Sequence, residues 1–453
     1  MNSRATVGGS GTYGVRALPK IAYGQGSYLY DSDGKRYLDG SGGPAVYCLG
    51  HAHPEVNDAI KAQLDRVAHG YRYLFTSDAM EELTEIVNAN AGGHFPHMVY
   101  VGSGSEAVES CLKIALQYHT ARGEKSRRRF ISRRRSWHGN TLGALSVSDF
   151  KARREAFEGS LLDVSFVSSA NAYRLPHGVE GHQLAAHLAD ELEAQILTIG
   201  AQNVAAFIFE PVVGAAGGVV PAPEGYAAAV AAVCRCHGVL LIGDEVMCGS
   251  GRTGTFRALE QDGVVPDIMS IAKGLAGGYQ PLGAALYSAA IHAVLVDAHG
   301  GAMTGHTFTG HTSSCAAGVA VQKIIARDRL LESVLSRGET FRQALRTAFA
   351  DVPEVGDIRG RGFFIGLELV ADPLTKTPFP AYASLHADIG RRAFEAGLIC
   401  YPSTGNVDGT NGDTVILAPA YNASDEELAE IIAILSPVIR DAVAAARRAV
   451  ALR

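Results

Sequence analysis

The sequence predicts an α/β fold: a mostly parallel central sheet covered by helices, with a smaller α+β domain beside it. Three observations carry that expectation. Short apolar runs alternate with longer helical patterns through most of the chain. Each run ends in a polar or glycine-rich loop, where ligands of parallel sheets collect. At 453 residues the chain exceeds what one hydrophobic core fills, so two packed domains are expected. The division expected is a large domain over 65–320, with 1–64 and 321–453 contributing to the small one.

Taken in order, "GGSGTYG" near the N-terminus follows no strand and makes a poor nucleotide loop. "MVYVGSGSEAVESCLKIALQYH" runs from a strand ending near Val101 into a helix with apolar positions at Val108, Leu112, Ala115 and Leu116. "RRRFISRRR" (127–135) flanks a short strand and reads as a solvated basic face. "VAAFIFE" (204–210), "GVLLIGDE" (238–245) and "PDIMSIAK" (266–273) are further strands. From about Val321 the texture becomes one long amphipathic helix, then a strand "GFFIGLELV" and a terminal helix from Asp425.

Apolar residues make up 47% and charged residues 19%, enough for a sizeable core and too few charges for a disordered chain. A net charge of -6 offers no attraction to nucleic acid or an anionic membrane. No apolar run reaches the roughly 18 residues of a membrane span, and the N-terminal stretch has no signal core. Seven scattered cysteines form no paired zinc spacing, which favours reduced thiols in a cytoplasm. His51 and His53 in "LGHAHPEV" lack a third ligand at metal spacing, so no metal is expected.

Three strand ends carry chemistry. Ser103, Gly104 and Ser105 lie between strand and helix, where bare N–H groups and hydroxyls face the positive end of a helix dipole. A phosphate fits there, although an ordinary glycine-rich turn reads the same way. Asp244 ends an apolar run, where a carboxylate is costly unless a cation meets it. Lys273 ends another, where desolvation lowers an amine's pKa and makes it nucleophilic. Separately these read as a turn, an ion pair and a surface charge. Together they meet the needs of pyridoxal 5'-phosphate: a phosphate anchor, a partner for the ring nitrogen and a Schiff-base amine.

The ordered motifs "YLYDSDGKRYLDGSGG", "LGHAHPEV", "GSGSEAVES", "SWHGNT", "EPVVGAAGG", "LLIGDEVMCGSGRTG", "PDIMSIAKGLAGGYQPLGA", "GHTFTGHTSSCAAG" and "VILAPAY" span nearly the whole chain. In them the sequence resembles the class III (omega) aminotransferases, fold type I pyridoxal-phosphate enzymes. The resemblance implies that Lys273 carries the cofactor, Asp244 pairs with its ring nitrogen, and Val246 and Trp137 pack on its two faces. It further implies that Ser103, Gly104 and Ser105 hold the phosphate with the partner subunit's Thr307, and that His138 and Glu210 lie at the cofactor. The activity implied is transfer of an amino group from a primary amine or amino acid to a 2-oxo acid such as pyruvate or 2-oxoglutarate, by a ping-pong cycle in a homodimer with shared active sites. A racemase, epimerase or decarboxylase of the same family is the alternative enzyme, and a non-catalytic cofactor-binding protein the alternative of another class.

Departures from the family pattern concern the substrate. Asn140, Ile416 and the segment "VDGTNGD" stand where relatives place an arginine, and Ser250 alters the glycine-aromatic-glycine-arginine pattern ahead of Arg252. A carboxylate is usually held by a bidentate guanidinium. Arg72, between Tyr71 and Tyr73, is the candidate replacement and Tyr47 a second substrate candidate. Arg359 and Arg361 are expected to serve packing.

Overall fold

The computed structural model describes residues 18–452, so "GGSGTYG" lies outside the described residues. A seven-stranded sheet runs in the order His97–Val101, Gly283–Tyr287, Ile268–Ile271, Leu240–Asp244, Val204–Phe209, Arg129–Arg133, Val164–Val167. Only Gly283–Tyr287 opposes the common direction, pairing antiparallel with both neighbours. All six residues of Val204–Phe209 are buried, as expected of a strand covered on both faces.

Alternation along the strands sorts their side chains into separate cores. Val99, Phe130, Ile208, Ile242 and Ala285 pack toward the helix Gly104–Ala121. Ile131, Phe207, Phe209 and Leu241 pack under Leu184–Ile199 and Tyr226–Cys236. Tyr100, Met269, Ile271 and Leu286 join a cluster with residues of the helices Asp78–Asn90 and Thr312–Arg327.

The strands Ile21–Gln25, Tyr28–Asp31 and Arg36–Asp39 form a meander whose last strand pairs in parallel with Leu398–Ile399. A second antiparallel sheet joins Val355–Arg361, Phe364–Leu369, Asp413–Leu417 and Tyr401–Thr404. The terminal helix Asp425–Ala451 starts at a capping box of Ser424 and Glu427. Among the described residues no helix is long and apolar enough to cross a membrane.

Two expectations need correction. The single long helix from Val321 is two, Thr312–Arg327 and Leu330–Ala348, because Arg329 takes a left-handed φ of 51° that no helix continues through. The texture change at Val321 therefore falls inside a helix. The basic run is also not wholly a solvated face: Arg133 is 1% exposed, with its guanidinium over the rings of Phe209 and Tyr226 and a bond to the Glu210 carbonyl. Cover on both faces of the strand Arg129–Arg133, not the charge of the run, decides which side chains are enclosed.

Candidate active site

The C-terminal ends of the parallel strands, and the loops that follow them, gather the polar residues. Asp244 closes its strand 3% exposed. The register sets Asp244 opposite Ser270, whose hydroxyl donates to Oδ1 at 2.9 Å. The Val246 amide donates to the same oxygen at 3.1 Å, and His138 Nδ1 meets Oδ2 at 2.6 Å. His138 is itself fixed, with Nε2 3.3 Å from Ser132 Oγ and its amide donating to Ser148 Oγ at 2.8 Å. Among the described residues no arginine or lysine forms an ion pair with this buried carboxylate, whose partners are these hydrogen bonds and one imidazole.

Lys273 follows the neighbouring strand Ile268–Ile271 in a left-handed conformation, φ 47°. Desolvation lowers its pKa to about 8, against the opposing pull of Asp244 and Glu210, while Arg252 adds to the lowering. Glu210, beyond Val204–Phe209, receives the Trp137 amide at Oε1 and the Gly214 amide at Oε2, both at 2.9 Å. Burial raises its pKa, and His138 acts against that rise.

Ser103 is the N-cap of Gly104–Ala121, its hydroxyl accepting from the Glu106 amide at 3.2 Å. Gly104 is required by the site's shape, since a Cβ there would lie 2.6 Å from Val246 Cγ1. Ser105 Oγ accepts from the Asn140 amide at 2.9 Å, which ties the turn at 103–105 to the segment carrying Trp137 and His138. Trp137 is half-buried, edge-on to Phe150 with centroids 5.8 Å apart. Tyr47 packs beside the Lys273 loop: a Cβ on Gly278 would meet its ring at 2.8 Å.

Two predicted residues meet at one loop. Thr307 is exposed on its loop. Arg72 stacks on Tyr73 at 4.7 Å and lies beside the same loop, with Nη2 2.9 Å from where a Gly305 Cβ would stand. It is also near Tyr287, whose pKa is raised by burial and lowered by Arg72. Tyr287 pairs with His97, at the opposite end of its strand from Gly283 and the turn at 103–105. Within one subunit, then, the structure does not bring Arg72 to Lys273.

Arg252, Arg359 and Arg361 are committed to structure. Arg252 donates to the carbonyls of Tyr47, Phe363 and Pro419. Arg359 pairs with Glu368 and donates to the Gly217 and Val219 carbonyls, and Arg361 pairs with Asp262. Sequence reasoning missed Ser270, which only strand register reveals, and Arg153, whose setting only the tertiary fold reveals. It also missed that Glu193, Cys236 and His237 each place a ligand atom within 4.8 Å of the others. There a 2.7 Å bond from His237 Nε2 to Glu193 accounts for the pair without an ion.

The residues present fit pyridoxal phosphate on structural grounds: a buried carboxylate with no cationic side chain but histidine paired to it among the described residues, an amine of lowered pKa just beyond the next strand, and a helix N-terminus floored by a glycine. Residues 14–439 match the family described as Aminotransferase class-III. The aminotransferase YodT of Bacillus subtilis is 39% identical over 93% of this chain and 95% of its own. The aminotransferase C1771.03c of Schizosaccharomyces pombe is 42% identical, covering 94% of each. Among solved structures, an amine transaminase from an uncultivated Pseudomonas species, determined in its PLP-bound form, superposes with a TM-score of 0.90 at 33% identity over 98% of this chain and 99% of that one. With its sheet, strand-end residues and near full-length match, this chain belongs to the class-III aminotransferases.

Proposed function

We propose that this aminotransferase moves an amino group from a primary amine or amino acid to a 2-oxo acid of the pyruvate or 2-oxoglutarate class, with pyridoxal 5'-phosphate held at Lys273. The observation that supports this reading best is Lys273 just beyond the strand that pairs with Asp244's own, its pKa drawn down to about 8. When bound, the cofactor supplies an electron sink for the carbanion left as a substrate loses its α-proton.

The chain's own residues supply position and charge. Asp244, held by His138, Ser270 and the Val246 amide, would pair with the protonated ring nitrogen. Ser103, Gly104 and Ser105 would receive the phosphate at the helix N-terminus, together with the partner subunit's Thr307. Val246 and Trp137 would cover the ring's two faces. Lys273 Nζ, with its pKa lowered to about 8, would both accept the proton from the substrate carbon and return it. Glu210 holds the Trp137 amide and so fixes that wall.

The homodimer, the cytoplasmic location and the division at 64 and 320 belong to the same proposal. An exposed Thr307 suits a residue that serves a neighbour, and seven free cysteines suit a reducing compartment. All seven strands of the large sheet lie between His97 and Tyr287. The test is a panel of amine donors mixed with the yellow holoenzyme. Stoichiometric pyridoxamine phosphate with release of the matching carbonyl product is expected. Racemisation or loss of carbon dioxide without pyridoxamine phosphate would overturn the reading.

A further inference from the structure

A 2-oxo acid needs a cation at its carboxylate, and Arg252, Arg359 and Arg361 are engaged elsewhere. Arg153 is differently placed. Its guanidinium carbon lies 4.5 Å from the Trp137 ring centroid and 4.7 Å from that of Phe150. Nη2 donates to Tyr401 Oη at 3.0 Å. No carboxylate pairs with Arg153 among the described residues, and it is half-exposed. Its neighbour Arg154 is instead consumed by the carbonyls of Leu145, Ser146 and Ser148.

The setting belongs to the active-site wall. Trp137 is anchored to Glu210 and precedes His138, the partner of Asp244. Phe150, Met247 and Tyr401 pack against one apolar cluster that includes Ala45, Val212 and Ile416. Tyr401 pairs in register with Ile416, and Lys151 Nζ reaches Thr410 Oγ1 at 3.3 Å, so the short helix Lys151–Arg154 leans on the C-terminal sheet. Two ring faces and a phenol fix the plane of the guanidinium while most of its N–H donors have no partner among the described residues. A cation ordered in advance loses little freedom when an anion arrives, and a planar fork matches a carboxylate.

We infer that Arg153, framed by Trp137, Phe150 and Tyr401, is the carboxylate-binding residue for the acceptor 2-oxo acid and for amino-acid donors. This rests on the aminotransferase reading, with the clamp supplied by the helix Lys151–Arg154 rather than by Arg72.

Calorimetric titration of the holoenzyme with propionate and with propionamide, which has no charge, tests it without turnover. Wild type should bind propionate and show far weaker binding of propionamide. Arg153→Met, which keeps the stem but not the charge, should weaken propionate by about tenfold or more. Arg153→Lys should fall between, since an ammonium keeps the charge but not the fork. In single turnovers, the loss for pyruvate in Arg153→Met should exceed the loss for an uncharged amine by at least about tenfold. Undiminished propionate binding in Arg153→Met overturns the assignment. So does an equal loss of propionate and propionamide, which would make Arg153 a wall residue only. The wider reading fails separately: propionate would still bind through Arg153 while no donor in the panel yielded pyridoxamine phosphate.

Discussion

Lys273 is where the chemistry is most exposed to test. Desolvation sets its pKa at about 8, and an amine reacts only when neutral. Competitive acetylation of cofactor-free enzyme, read by mass spectrometry of the Lys273 peptide, should therefore rise with pH through a midpoint near 8. An ordinary lysine has its midpoint near about 10.4. Asp244 opposes that lowering, so Asp244→Asn should move the midpoint further down, while a midpoint left in place would mean that the two charges do not communicate. Lys273→Ala should abolish turnover, measured as pyruvate-dependent loss of amine. At this scale the sequence was legible where a polar residue ends an apolar run, as Asp244, Lys273 and Glu210 do. Ser270 was not, because its meeting with Asp244 depends on strand register. Arg153 sits among the charges of "DFKARREAFE" and looks like solvated surface until the fold brings Trp137 and Tyr401 to it.

Among elements, the strand-turn-helix from His97 to Ala121 does the most with the fewest residues. Gly104 lets the helix N-terminus close on Val246, and valine has no flexible tail to move aside. Gly104→Ala should fold normally yet lose cofactor on dialysis, measured as phosphate-dependent visible absorbance; full retention would show that the turn has room to spare. The parallel strands were legible because both faces are covered and the runs are continuously apolar. The strand Val355–Arg361 was not: "VGDIRGR" carries charge at three positions, and its place comes from the hairpin with Phe364–Leu369 and from the ion pairs of Arg359 and Arg361. The break at Arg329 also escaped notice, since "RDRLLE" has no glycine or proline to mark a left-handed residue.

For the whole molecule, the proposed dimer makes a distinct claim. Mixing two inactive parents, Lys273→Ala and Thr307→Trp, places both lesions in one site of each mixed dimer and leaves the other intact. Activity should reappear on subunit exchange, and persistent inactivity would mean that Thr307 serves its own subunit. The helix Thr312–Arg327 bears on a different property. Its first half, through Cys315, Ala317 and Val319, is buried with the large sheet, and its second, through Val321, Ile324 and Ile325, with the C-terminal core. A rigid rod shared by two cores cannot release one and keep the other, so the two halves should melt together. Hydrogen exchange in rising urea should give the amides of Leu240–Asp244 and Phe364–Leu369 one common opening free energy, and any truncation that removes the C-terminal sheet should leave an insoluble remnant rather than an autonomous cofactor-binding fragment.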